Sequence, residues 1–91
     1  MKLQTVYEAL SDPNRRKILE LLKKGDLSVG EIAESFNISG ASLSHHLNKL
    51  KSANLVTTER QGQNIIYSIH TTVFEDAANE AAEFFKLGGG K

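Results

Sequence analysis

Apolar residues recur along the chain at two spacings, and the changes between them divide it into helices and a hairpin. Leu3, Val6, Tyr7 and Leu10 fall three and four apart, the repeat of one helix face, and predict a short first helix. Asp12 before Pro13 pairs an N-cap acceptor with a proline at the first helical position, where its missing N–H is no loss. A second helix is predicted over 13–24, with Ile18, Leu21 and Leu22 on its apolar stripe and Gly25 as its stop. Ser28 and Glu31 have capping-box spacing, and Val29, Ile32, Ala33 and Phe36 continue as a short third helix. After a break at Asn37, Ile38 and Ser39, the serine offers a cap for a fourth helix reaching about 53, with Leu43, Leu47 and Leu50 inward.

The period then changes. Residues 56–60 are rich in β-branched side chains, 61–64 read as a turn containing Gly62, and 65–69 read as a second strand, so a hairpin is predicted. Thr72 and Glu75 have capping-box spacing and open a last helix over about 72–87, with Phe74, Ala77, Ala78, Ala81 and Phe85 along one side. Residues 88–91, Gly88-Gly89-Gly90-Lys91, are expected to form a flexible tail outside a single domain of residues 1–87. The expected order is α-α-α-α-β-β-α: mainly α with a small β-hairpin.

Two short helices joined by a tight turn and followed by a hairpin describe a winged helix-turn-helix. The fourth helix supports this at 100° per residue. Leu47 and Leu50 lie within about 40° of Leu43, whereas His45 lies about 200° away, near Ala41, Asn48, Lys49 and Ser52, with Ser42 and Ser44 flanking. That outer face holds serine, histidine, asparagine and lysine and no acid. A merely solvated face usually mixes Glu with Lys. A face lying in the major groove avoids carboxylates near phosphate and favours short hydrogen-bonding side chains at the helix start. Ser39 and Gly40 stand where backbone amides and the helix dipole meet a phosphate. In the hairpin, Arg60, Gln61, Gln63 and Asn64 are polar, as loop tips usually are. Beside such a helix they become candidates for backbone or minor-groove contact. His46, about 60° from the core direction, is expected at the edge of the core, hydrogen-bonded to backbone.

Composition narrows the field. The chain has 91 residues, 40% of them hydrophobic, with 11 basic and 11 acidic side chains and no cysteine. Zero net charge is unusual for a nucleic-acid binder, but the charge is uneven. Residues 39–70 carry Lys49, Lys51 and Arg60 against Glu59, and 71–87 carry Glu75, Asp76, Glu80 and Glu83 against Lys86. Absence of cysteine excludes disulfides, thiolate metal sites and a cysteine nucleophile. Ser44, His45 and His46 point 100° apart and cannot form a catalytic pair, so no enzyme activity is expected. His70 is the only nitrogen near the acids of the last helix, so neither metal nor cofactor is expected. No apolar run approaches membrane-spanning length and the N-terminus lacks a leader's apolar core; a soluble cytoplasmic protein with no membrane insertion is expected.

The stretches Leu10-Ser11-Asp12-Pro13-Asn14-Arg15-Arg16-Lys17-Ile18-Leu19-Glu20-Leu21-Leu22 and Ser42-Leu43-Ser44-His45-His46-Leu47-Asn48-Lys49-Leu50 resemble the opening and recognition helix of ArsR/SmtB-type winged-helix repressors. Ala53-Asn54-Leu55-Val56 is similar to their "AGLV" piece, and Arg60 through Tyr67 to their "R-x-G-x-x-x-x-Y" wing. Lacking metal cysteines, the chain is most similar to the SdpR-like branch. The resemblance implies a homodimer held by the first and last helices that represses an operon, often its own, from a double-stranded DNA operator. The apolar strip Phe74, Ala77, Ala78, Ala81 and Phe85 either completes the monomer core or, with Leu3, Val6 and Tyr7, makes the two-fold interface, and the interface is the favoured reading. It implies that Ser42, Ser44 and His45 face bases, that Lys49 and Arg60 face backbone, and that a membrane-associated protein sequesters the repressor. Lys51, Arg15 and Arg16 are further candidates for phosphate contact. A winged-helix protein-interaction module and a ligand- or metal-responsive sensor stay open as alternatives.

Overall fold

The computed structural model describes residues 3–89, and the side chains of these except 3, 73, 74, 77 and 84–89. The order is α1 (Leu3–Leu10), α2 (Pro13–Lys23), β1 (Leu27–Ser28), α3 (Val29–Ala33), α4 (Gly40–Ser52), β2 (Val56–Gln61), β3 (Asn64–Ile69) and α5 (Thr71–Gly89). This is the expected mostly helical winged helix-turn-helix with one added strand. β1 pairs antiparallel with β3, Leu27 opposite Tyr67 and Ser28 opposite Ile66, so the sheet has three strands in the order β1-β3-β2.

The caps of α2, α3 and α4 lie where the sequence put them. The Asp12 carboxylate accepts from the amides of Asn14 at 2.7 Å and Arg15 at 3.4 Å. Ser28 and Glu31 form a reciprocal capping box, and Ser39 Oγ accepts from the Ser42 amide at 3.0 Å. Each satisfies amides that the first helical turn leaves without a partner. In the hairpin Gln61 pairs with Asn64 around a two-residue loop, and Gly62 takes φ +64, a positive angle favoured in such tight turns.

The core joins Val6 and Ala9 of α1, Ile18, Leu19 and Leu22 of α2, Ile32 of α3, Leu43, Leu47 and Leu50 of α4, and Leu55, Val56 and Tyr67 around the wing. Among the described residues α5 adds no fully buried side chain; it packs on α1.

Several expectations need correction. The α2 stripe runs through Leu19, and Leu21 is half-buried. The third helix has five residues, so Ala33 is exposed and Phe36 lies in the turn beyond it. Val6, expected at a dimer interface, is fully buried in the chain's own core and closed to a partner. The last helix begins at Thr71, which places Thr72 inside the first turn and not at its cap, and the helix continues through Gly88 and Gly89, where a tail was expected. No helix among the described residues is long and apolar enough to cross a membrane.

Candidate nucleic-acid interface

α4 separates its two faces as the angular pattern predicts. Leu43, His46, Leu47 and Leu50 are buried; Gly40, Ala41, Ser44, His45, Asn48, Lys49 and Ser52 are exposed, Ser39 is exposed at the cap, and Ser42 is half-buried. The helix carries no acidic residue, and Lys49 and Lys51 lie in its last turn. There they favour the negative end of the helix dipole while projecting positive charge outward. A Cβ added at Gly40 would meet nothing within 4 Å, so space is open beside the start of the helix.

Beside this face runs an open cleft of about 480 Å³. Thr5, Glu8 and Ser11 from α1 and the turn after it form one wall, and His45, Asn48, Lys49 and Ser52 form the other. Among the described residues Glu8 is its one carboxylate.

The wing residues Arg60, Gln61, Gln63 and Asn64 are all exposed. Side chains alternate along a strand, so Arg60 shares the face of buried Val56 and half-buried Thr58, opposite Ile65. Glu59 emerges on the other face. The alternation separates the wing's cation from its only nearby acid.

Arg15 departs from expectation, while Arg16 is exposed. Arg15 is buried: its Nε donates to the Ala9 carbonyl at 2.7 Å, its Nη2 to the Glu8 carbonyl at 3.1 Å, and its Nη1 lies 3.2 Å from His46 Nδ1. It is a structural clamp: it also lines the cleft, but its donors are engaged by the Ala9 and Glu8 carbonyls and the His46 ring. Arg16 donates to the Leu10 carbonyl and Lys17 to the Ser35 carbonyl, both at 2.7 Å, and the Lys17 ammonium sits 4.7 Å from the centre of the Phe36 ring. The sequence carried one sign of this: Arg15 is three residues before Ile18, on the buried stripe of α2.

His46 is buried as expected, but its partner is the Arg15 guanidinium and not a backbone group. Asp12 Oδ1 lies 3.9 Å from the same ring nitrogen, too far for a hydrogen bond. Loss of hydration pushes the Asp12 carboxyl up, but the Asn14 amide, the His46 ring and Arg15 together outweigh it and hold the carboxyl below its ordinary value. His70 is anchored at the end of β3: its amide donates to the Leu55 carbonyl at 2.9 Å, and its Nδ1 lies 3.1 Å from the Asn54 carbonyl. No three His, Asp or Glu side chains gather as metal ligands among the described residues.

Of the α1 and α5 residues expected at a dimer interface, Tyr7 is 47% exposed, Ala78 is exposed and Ala81 half-buried. The side chains of Leu3, Phe74, Ala77 and Phe85 lie outside the described ones.

A capped helix with an acid-free polar face, set on a helical core and followed by a wing, defines a winged helix-turn-helix DNA-binding protein. The chain belongs to the arsR family of bacterial regulatory proteins, whose signature matches residues 12–58. It is 52% identical over 86 residues to the transcriptional repressor SdpR of Bacillus subtilis (strain 168), covering 94% of this chain and 96% of that protein. Among solved structures it resembles an ArsR family transcriptional regulator at a TM-score of 0.87, with 28% identity and 98% of each chain covered. NolR from Sinorhizobium fredii matches at a TM-score of 0.72 and 31% identity, covering 97% of this chain and 85% of that one. The protein is thus a DNA-binding transcriptional regulator and not an enzyme.

Proposed function

We propose that the protein is a repressor that binds a pseudo-palindromic operator as a homodimer and acts on its own promoter. The observation that carries this reading is the outer face of α4, where Ser44, His45, Asn48 and Lys49 are all exposed on a helix without an acid. Ser42, Ser44 and His45 read bases. Lys49, Lys51 and Arg60 hold phosphates, Ser39 and Gly40 receive one at the helix start, and Gln61, Gln63 and Asn64 extend the contact along the wing. Exposed Tyr7 and the α5 surface with Ala78 and Ala81 support a two-fold interface, which would set two copies of α4 on successive major-groove half-sites. Similarity to SdpR supports repression as the outcome of binding. For its relief we propose capture by a membrane-associated protein, as the SdpR-like resemblance implies.

The test is a fluorescence-anisotropy titration with the protein's own upstream DNA and a scrambled duplex, each at two salt concentrations. The reading expects upstream DNA to bind at least ~10³ more tightly than scrambled. Equal, salt-sensitive binding to both would overturn it and favour a protein-interaction module. Sedimentation of the protein–DNA complex counts the protomers bound.

A further inference from the structure

We propose that His46, which does not face the groove, is a positioning residue for DNA reading: by accepting a hydrogen bond from Arg15 it fixes how α4 is rotated against α1 and α2. The proposal rests on α4 being the DNA-reading element.

The chemistry of the pair leaves one arrangement. A guanidinium keeps its proton in proteins, donates through five N–H groups and accepts nothing. At 3.2 Å from Arg15 Nη1, His46 Nδ1 must therefore present its lone pair, and the ring proton sits on Nε2. The tautomer is dictated by the neighbour.

The same guanidinium holds a second helix. Glu8 and Ala9 belong to the last turn of α1, whose carbonyls have no partner within the helix, although the Glu8 carbonyl also accepts from the Ser11 amide at 3.2 Å and the Ser11 hydroxyl at 2.7 Å. Arg15 Nε and Nη2 take both, at 2.7 and 3.1 Å. One planar group, rooted in the first turn of α2, thus ties the C-terminal end of α1 to the middle of α4. A planar fork with its donors engaged in three directions tolerates little rotation of either helix.

The consequence falls on the outer face. His45 is the next residue before His46, with the two rings edge-on and 5.8 Å apart, and Lys49 follows one turn later. A small rotation of α4 about its axis re-aims His45, Asn48 and Lys49 together. Contact with bases depends on direction far more than attraction to phosphate does. Loss of the Arg15–His46 bond should therefore blur sequence discrimination and leave general affinity for DNA in place. The arrangement also couples α1, a helix of the proposed dimer interface, to the reading face.

The test compares wild type, His46→Leu and His46→Asn by anisotropy on the protein's own upstream DNA and on a scrambled duplex, with the thermal midpoint of each variant measured alongside. Leucine fills the space but offers Arg15 no acceptor; the asparagine Oδ1 replaces Nδ1. His46→Leu is expected to lower the upstream-to-scrambled ratio about tenfold or more, with scrambled affinity unchanged, as for a mis-aimed base contact. His46→Asn is expected to restore most of that ratio. In wild type, nitrogen NMR should show His46 Nδ1 unprotonated at neutral pH, a readout that does not require the leucine variant to fold. The proposal is overturned if both affinities fall together, if leucine and asparagine behave alike, or if Nδ1 carries the proton. Wild type that fails to distinguish the duplexes would overturn the DNA-reading assignment itself. Wild type that distinguishes them, with a His46→Leu that does so equally well, would overturn the positioning role alone.

Discussion

The Leu55 amide donates to the Leu50 carbonyl at 3.0 Å, closing the end of α4 from five residues beyond. The Asn54 amide donates to Lys51 inside that loop, also at 3.0 Å, and Asn54 takes φ +60 between them. The pair of bonds is a Schellman motif, and it explains why an asparagine occupies a position that the resembling family fills with glycine. Asn54→Gly is expected to leave stability within a few tenths of a kcal/mol, whereas Asn54→Ala should cost about 1 kcal/mol, because alanine tolerates that φ poorly. Thermal denaturation of the two variants checks the difference.

Lys49 is exposed in the last turn of α4. Lys49→Ala is expected to weaken upstream and scrambled DNA by similar factors and to lower the salt slope by about one. Titrations across a salt series measure it. A loss confined to the upstream duplex would reassign Lys49 to base reading.

His45→Ala should do the opposite. Discrimination is expected to fall by about 1–3 kcal/mol at a single base-pair position, with scrambled DNA bound as before. Competition among operators altered one position at a time identifies that position, and equal loss on all of them would end the assignment.

Asp12 couples helix capping to acid stability. Its folded carboxyl is held below the ordinary value, so its stabilisation is complete above about pH 4 and is lost as pH falls through the folded value. Asp12→Asn keeps an acceptor for the Asn14 amide and removes the titration. Its stability should fall less steeply below pH 4 than that of wild type in denaturant titrations. Asp12→Ala should lose about 1 kcal/mol at neutral pH through the cap alone.

Tyr7 is 47% exposed on α1. Tyr7→Glu would place a charge within the proposed two-fold interface. It is expected to leave the fold intact, to shift the protein to monomer in sedimentation, and to reduce affinity for a two-half-site operator far more than for a single half-site.

The reading face of α4 was legible because leucines at 43, 47 and 50 fix the inward direction at one helical period, and the residues opposite are polar apart from Ala41. The caps were legible for a similar reason, since one side chain and its own amides decide them. Arg15 was not. Its place three residues before Ile18 puts it on the buried stripe of α2, but only the fold brings two α1 carbonyls and a ring nitrogen around it. The extra strand was equally hidden, because two residues carry no period. Val6 and Tyr7 are adjacent on one apolar stripe, and the angle at which α1 meets the core buries one and exposes the other.

That two-residue strand has a kinetic meaning. β2 and β3 are neighbours in sequence and can zip together through their own tight turn within microseconds. Leu27 and Ser28 must find Tyr67 and Ile66 across about 40 residues, a span that holds α3 and α4. Docking of β1 is therefore expected late in folding, and its amides should be among the first in the sheet to exchange with deuterium. The wing is thus tied down twice, by Val56 and Tyr67 in the core and by this two-residue rung, and the rung is the weaker tie.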